Sequence, residues 1–364
     1  MASPSVPSHS IPAPPAQGLR KRLRDWSRSY TLRVFLQGLV TIWAVTTFTF
    51  FLIRLLPGNP ISIRIDQLMQ QQAMSYDEAY NIAASLYNFD PDQPVLEQYV
   101  DYFTKLLRGD LGMSITSAGT PVSSLIMRFL PWTLFSVGSA LIISFTLGII
   151  LGTAMAYWRG GIFDNVVTAL ASILYGIPDY IIALLIILVG GVQLRLFNVG
   201  EMRGGVDPSI TPGLTLEYIG SIARYAILPV TTYVLATVGG WILSMKSSTI
   251  STLGEDYITV AKARGLSERR VLTAYVGRNA MLPLVTRLAI SIGFIVGGSV
   301  IVEEFYQYPG LGRALVLAIQ GRDYTTMQGI FLVITIAVVV SNMLADLMLG
   351  LLDPRVRLGG ESSE

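Results

Sequence analysis

The chain has 364 residues, 52% of them hydrophobic and 14% charged, with a formal net charge of +2, and its mean hydropathy of +0.55 marks an integral membrane protein rather than a soluble domain. It contains no cysteine, and its single histidine, His9, lies in a Pro/Ser-rich tail; thiol chemistry, disulfides, Cys/His metal centres and histidine-based triads therefore lack their parts. No basic excess of the kind that binds nucleic acid is present.

Residues 1–19 cannot pack a core and are expected to be disordered. With the basic collar Arg20, Lys21, Arg22, Arg24 and Arg28 they make a cytoplasmic arm over 1–30. The apolar run from Thr31 to Ile53 is long for a signal peptide and no A-x-A site follows it, so it reads as a retained first span over 31–56. Since a crossing helix needs roughly 20 mainly apolar residues, six segments qualify: 31–53, 132–157, 165–192, 225–245, 283–302 and 327–351. With both termini inside, the inner segments and span ends hold 16 of the 26 Lys and Arg residues, as the positive-inside rule requires. The expected fold is an all-α membrane protein with six transmembrane helices: a first span, an extracytoplasmic helical loop over 57–131, a core of five helices over 132–352 with an inner loop at 246–282, and a cytoplasmic tail at 353–364.

Within the outer loop, Ser75 and Glu78 have capping-box spacing and the helix they open ends at Asp90-Pro91. A second helix places Val95, Leu96, Tyr99, Val100, Phe103, Leu106 and Leu107 on one face and stops at Gly109. That face packs on the bundle or lies in the membrane interface. In the third span, ILYGIPDYIIALL puts Pro178 and Asp179 at membrane depth beside Tyr175. Two readings are open there: a hinge that lines a pathway, or a proline kink serving helix packing with Asp179 near the outer interface. The G-x-x-x-G pairs Gly148/Gly152 and Gly293/Gly297 read as close helix packing. Asp346 in the last span is either a functional carboxylate or the partner of a basic neighbour.

The inner loop carries EDYITVAKARGLSERRVLTAYVGRNAMLP over 255–283. Glu255 and Asp256 suit the start of a short helix with Tyr257, Ile258 and Ala261 on its apolar side, Gly265 ends it, and Ser267 opens a longer helix. Lys262, Arg264, Arg269 and Arg270 face the cytoplasm. Topology alone would need no ordered corner, and a lipid-binding cluster would be denser in charge; docking of a cytoplasmic partner fits best.

This loop resembles the EAA loop of type I ABC importer permeases, in the form found in the dipeptide/oligopeptide branch. The likeness runs from about residue 30 to 358 through LLPGNP (55–60), QYVDYFTKLLRGDLGMS (98–114), LPWTL (130–134), GIPDY (176–180), AILPVTTYV (226–234), GGSVIVEEFYQYPGLGRAL (297–315) and LLDPRVR (351–357). Thr259 and Val260 stand where the general pattern has Glu and Ala. The resemblance implies a type I ABC importer permease fold and an ATPase-coupling element comprising Tyr257, Thr259, Ala261, Lys262, Ala263, Arg264, Gly265 and Leu266. It also implies a second homologous permease, two cytoplasmic ABC ATPase subunits and an extracytoplasmic substrate-binding protein in the prokaryotic inner membrane.

No G-x-x-x-x-G-K-[ST] phosphate loop occurs in the chain. The expectation is thus a transport subunit and not an enzyme, with no catalytic or metal site and no cofactor of its own; ATP and Mg belong to the partners. Pathway or gate candidates are Tyr175, Pro178, Asp179, Glu303, Glu304 and Tyr308, the last three beside the Pro/Gly-turned stretch YQYPGLG (306–312), which is either a gate or docking loop or a rigid turn. The expected cargo is a di- or oligopeptide, with nickel chelates or oligosaccharides as alternatives inside the same family. A self-contained ion- or proton-coupled transporter using Asp179 and Asp346 is the alternative outside it.

Overall fold

The structure is a computed structural model that describes residues 16–55, 65–66, 69–70, 74–87, 94–117, 119–298 and 300–352. The expected helix end at Asp90-Pro91, most of LLPGNP and the tail from 353 lie outside the described residues. Among those described, the chain is helical, with one isolated antiparallel bridge between Met113 and Pro121.

Helix α1 (Ala16–Arg54) is followed by α2 (Tyr76–Tyr87), α3 (Val95–Leu107), α4 (Val122–Tyr157), α5 (Ile162–Gly176) and α6 (Asp179–Leu185), which continues as a π-helical stretch, Ile186–Gln193. Then come α7 (Leu216–Leu253), α8 (Asp256–Ala263), α9 (Glu268–Arg270), a π-helical turn Val271–Gly277, α10 (Arg278–Ala280), α11 (Leu282–Ile295), α12 (Val300–Phe305), α13 (Leu311–Gln320) and α14 (Tyr324–Leu352). The basic collar is helical and not part of a disordered arm, because α1 begins at Ala16. Arg, Lys and Leu are good helix formers, and the span that follows supplies the nucleus they extend.

Among the described residues four helices are long and apolar enough to cross a membrane: Val34–Ile53 within α1, Val122–Tyr157, Leu216–Leu253 and Tyr324–Asp346. Ile162–Gly176 and Asp179–Gln193 make a fifth if taken together, but they are bent by 104°. The expected proline kink is therefore a corner. Ile177 before the proline is extended, as proline's ring requires of its neighbour, and Pro178 serves as the N-cap of a new helix. The expected span at 283–302 is also interrupted: α11 stops at Ile295, its 14 residues measure about 21 Å against a hydrocarbon core of roughly 30 Å, and α12 restarts at Val300.

The frame of the bundle is α4 packed along α7, with α5 on the same helix and α1 and α11 both on α14. Glycines set the closeness of the first pair. A Cβ on Gly152 would stand 2.6 Å from the Ile242 carbonyl oxygen and 2.7 Å from Met245 Cβ, and one on Gly148 would collide with Trp241. Gly293 does the same against Ser341 on α14, whereas Gly297 lies past the end of α11 in ordinary contact distance, so only half of that second pair packs helices.

At the α2–α3 side the capping box is formed: the Glu78 carboxylate accepts from the Ser75 N–H at 3.1 Å and its hydroxyl at 3.0 Å. Tyr99 of α3 stacks on Phe51 and meets Phe50 edge-on, and its hydroxyl pairs with Thr47 at 2.9 Å. Phe103 and Leu106 of the α3 stripe are half-buried, whereas Val95, Leu96, Val100 and Leu107 are exposed. The apolar face thus divides between the bundle and the surroundings.

Candidate functional site

Three places carry the sequence-derived candidates. The first is the loop at 255–283. Helix α8 buries Ile258 and Ala261 against Val271 and Val276 behind it, with Leu266 and Tyr275 at the edge. It ends in a Schellman closure, where the Gly265 N–H donates to Lys262 O at 2.9 Å and the Leu266 N–H to Ala261 O at 3.3 Å, while Gly265 takes a φ of 75°. The corner expected at Gly265 is present for that reason.

Tyr257, Thr259, Val260, Lys262, Ala263, Arg264 and Gly265 are exposed on the outer surface of this element. Ala261 is only 3% exposed and packs inside the corner, and Leu266 is half-buried at its edge. Ser267 stands at the N-cap of α9, but its side chain makes no capping hydrogen bond, contrary to its expected role. One tie to the frame was not visible in the sequence: the Tyr157 hydroxyl at the end of α4 donates to Glu268 at 2.9 Å. Nearby, Asp164 of α5 and Lys246 of α7 form an ion pair at 2.5 Å, with Thr168 also accepting from Lys246 at 2.8 Å.

The second place is a cavity of about 350 Å³ between α4, α5, α7 and α11, lined by Tyr175, Tyr233, Thr237, Trp241, Arg287 and Ser291 among others. Of the pathway candidates it holds Tyr175 alone. Pro178 is exposed and Asp179 half-exposed at the 104° corner, where the carboxylate accepts from its neighbour's N–H, that of Tyr180, at 2.8 Å. Asp346 belongs to no ion pair among the described residues. A larger groove, about 620 Å³, continues along α7 and α11 toward the 255–283 loop and is lined by Ser244, Ser247, Ser248, Ser251, Pro283 and Arg287.

Arg287 was legible only as one more basic residue in LPLVTRLAISIG. Its Nη1 donates to Ser244 Oγ at 2.7 Å and to Gly240 O at 3.4 Å, and the guanidinium lies 4.8 Å over the Trp241 ring. It is the residue that both cavities share.

The third place is the stretch after α12. Glu303 and Tyr308 are fully buried, so the stretch after α12 is folded as a packed turn around them. One Glu303 oxygen accepts from the Gly312 N–H at 2.8 Å and the Arg313 N–H at 3.2 Å, so the carboxylate sits at the N-terminus of α13 where the helix dipole favours it. The other accepts from Thr133 Oγ1 at 2.8 Å. Burial pushes the Glu303 carboxyl up to about 7, opposed by the hydrogen bonds from Thr133, Arg313 and Gly312. Glu304 is half-buried and pairs loosely with Arg313 at 3.8 Å, and Arg313 also donates to the Gln307 carbonyl. Trp132 packs edge-to-face on Tyr308 at 5.9 Å.

A second buried carboxylate escaped sequence reading. Asp323 caps α14 through the Thr326 N–H at 3.0 Å and draws in Ser114 at 2.5 Å and the Thr116 hydroxyl at 3.0 Å. It ties the segment before α4 to the start of the last helix.

The geometry joins an ordered exposed corner to a helical bundle with a cavity between its helices. Residues 148–358 match the family described as the binding-protein-dependent transport system inner membrane component. The chain belongs to that family. As a binding-protein-dependent inner membrane component it is a multi-pass inner-membrane protein, in keeping with its apolar helices. This inner membrane component is 30% identical over 329 residues to the oligopeptide transport system permease protein AppB of Bacillus subtilis, covering 90% of this chain and 99% of the relative. It is 31% identical to the dipeptide transport system permease protein DppB of Escherichia coli, over 88% of this chain and 96% of that one. It shares the same identity with the di/tripeptide transport system permease protein DppB of Pseudomonas aeruginosa, over 87% and 95%. The relatives are transport proteins and none is named as an enzyme.

Proposed function

We propose that this chain is the transmembrane permease subunit of an ATP-driven importer and forms, with a second homologous permease, the translocation pathway for di- or oligopeptides. An extracytoplasmic binding protein delivers the cargo, and two cytoplasmic ATPase subunits hold ATP and Mg. The observation that carries the coupling role is the 255–270 element: a short helix closed at Gly265, exposed outward through Tyr257, Thr259, Val260, Lys262, Ala263 and Arg264, and packed inward on the helical run that leads to the cavity. Peptide as cargo is supported by near full-length likeness to proteins named for oligopeptide, dipeptide and di/tripeptide transport.

In this reading the chain crosses the membrane six times with both termini cytoplasmic. The broken pair α5/α6 counts as one crossing, and the helical run from Glu268 to Ile295 supplies the fifth. The 57–131 segment lies outside and faces the binding protein together with the Glu303 turn. ATP-driven closure of the ATPases moves the α8–α9 element, and the bundle shifts between outward- and inward-open states. The ion-coupled alternative would rest on Asp179, half-exposed at the 104° corner, and Asp346, which has no ion pair among the described residues; membership of the binding-protein-dependent family supports the importer reading instead.

The test is co-expression with the neighbouring ATPase, permease and binding-protein genes, followed by reconstitution. Co-purification of the ATPases and uptake of peptide that stops when ATP is withheld are expected. Uptake by this chain without ATPases, or a ligand other than peptide on the partner binding protein, would overturn the reading.

A further inference from the structure

Arg287 lies in the apolar run of α11, on a face left exposed in this chain. Ser248 Oγ donates to Ala280 O at 2.7 Å, which fixes the level at which α7 and the α10–α11 run meet. Arg287 lies seven residues beyond Ala280, about 10 Å further into the bundle at 1.5 Å per residue. Its guanidinium does not turn back toward the loop, for it lies over Trp241, seven residues up α7 from Ser248, and so stays level with its own backbone. A basic side chain at such depth ordinarily points to an interface or pairs with an acid. This one does neither among the described residues, whose ion pairs are Asp164–Lys246 and Glu304–Arg313.

Two further facts define what it can do. Its hydrogen bonds all run through Nη1, to Gly240 and Ser244, and the stack on Trp241 fixes the plane of the group. Among the described residues the Nε and Nη2 donors, which form the edge of the fork that grips a carboxylate with two parallel hydrogen bonds, have no hydrogen-bond partner and are left for what enters the cavity. Arg287 also stands between two environments, an aromatic and aliphatic chamber on one side and a groove lined by four serines of one α7 face on the other.

We propose that Arg287 is the carboxylate-binding residue of the pathway, taking the terminal carboxylate of a peptide as it passes from the aromatic chamber to the serine-lined groove. This rests on the peptide-import reading. The serines accept and donate weakly and present no charge, so the cargo is passed on from Arg287 and not trapped.

The experiment uses the whole transporter in proteoliposomes with its binding protein. The probe is a tripeptide and its C-terminal amide, chosen as a pair that both load the binding protein, as shown by its melting shift. Arg287→Gln is expected to slow ATP-driven uptake of the free acid at least tenfold and the amide far less, with Arg287→Lys keeping most of the free-acid rate. Equal slowing of acid and amide would assign Arg287 to packing or to an acid of the second permease, and unchanged rates for both would remove it from the pathway; either overturns the proposal while peptide import stands. A wild-type transporter that imports neither peptide overturns the peptide reading and this assignment with it.

Discussion

Thr133 gives its hydroxyl hydrogen to Glu303 at 2.8 Å and with the same oxygen accepts the Leu311 N–H at 2.7 Å, so one side chain of α4 clasps both ends of the turn between α12 and α13. Both residues are fully buried. Thr133→Val keeps the shape and leaves a buried N–H and a carboxylate oxygen without partners. A loss of about 1–3 kcal/mol for each orphaned group is expected, read as a fall in melting temperature in detergent, with Thr133→Ser close to wild type.

Glu303 also sets a pH dependence. Burial raises its carboxyl to about 7 from an ordinary 4.5. Between those values the folded protein holds a proton that the unfolded chain has released, so this group's contribution is fully present below 4.5 and is lost as pH rises through 7. The loss is at most about 3 kcal/mol. Melting temperature should fall from pH 5 to pH 8 in the wild type, with a flatter profile in Glu303→Gln. An equal slope in both proteins would assign the effect elsewhere.

Gly265 separates conformation from surface. A Cβ there meets nothing within 4 Å, yet φ is 75°, a region that costs an L-residue about 1–2 kcal/mol. Gly265→Asn, which tolerates that region, should keep most ATP-linked uptake, Gly265→Ala should weaken it, and Gly265→Trp should abolish it while insertion is intact. Full uptake by the tryptophan variant would count against docking at this corner.

Two glycines of α4 should respond in opposite directions to the same change. Gly138 has open space around it, so Gly138→Ala should stabilise the isolated subunit by up to about 1 kcal/mol through helix propensity. Gly148→Ala drives a methyl into Trp241 and should destabilise it by about 1–3 kcal/mol. Thermal melts of the two variants side by side decide this.

What the sequence made legible was local. The Ser75–Glu78 box and the Gly265 corner are set within five residues, and the residue types carry the geometry with them. Pro178 announced a break but not its 104° angle, because proline forbids continuation without fixing the direction of the next helix. The pairings Thr133–Glu303, 170 residues apart, and Ser114–Asp323, 209 apart, have no periodicity to betray them. Arg287 stood in plain view, but hydropathy fixes neither the rotation of a helix nor what its arginine faces. Ala261 belongs to the coupling element that the resemblance implies, and the sequence did not show that its small side chain lies buried inside the corner.

From Thr133 to Tyr157 helix α4 rises through 24 residue steps, about 36 Å, with no proline and no break in its helix. Thr133 is bonded to Glu303 at one end of the molecule and Tyr157 to Glu268 at the other. The two ends are therefore fastened to a single stiff beam, and any tilt imposed on the beam at Tyr157 is felt at the Glu303 turn with no joint between them to absorb it.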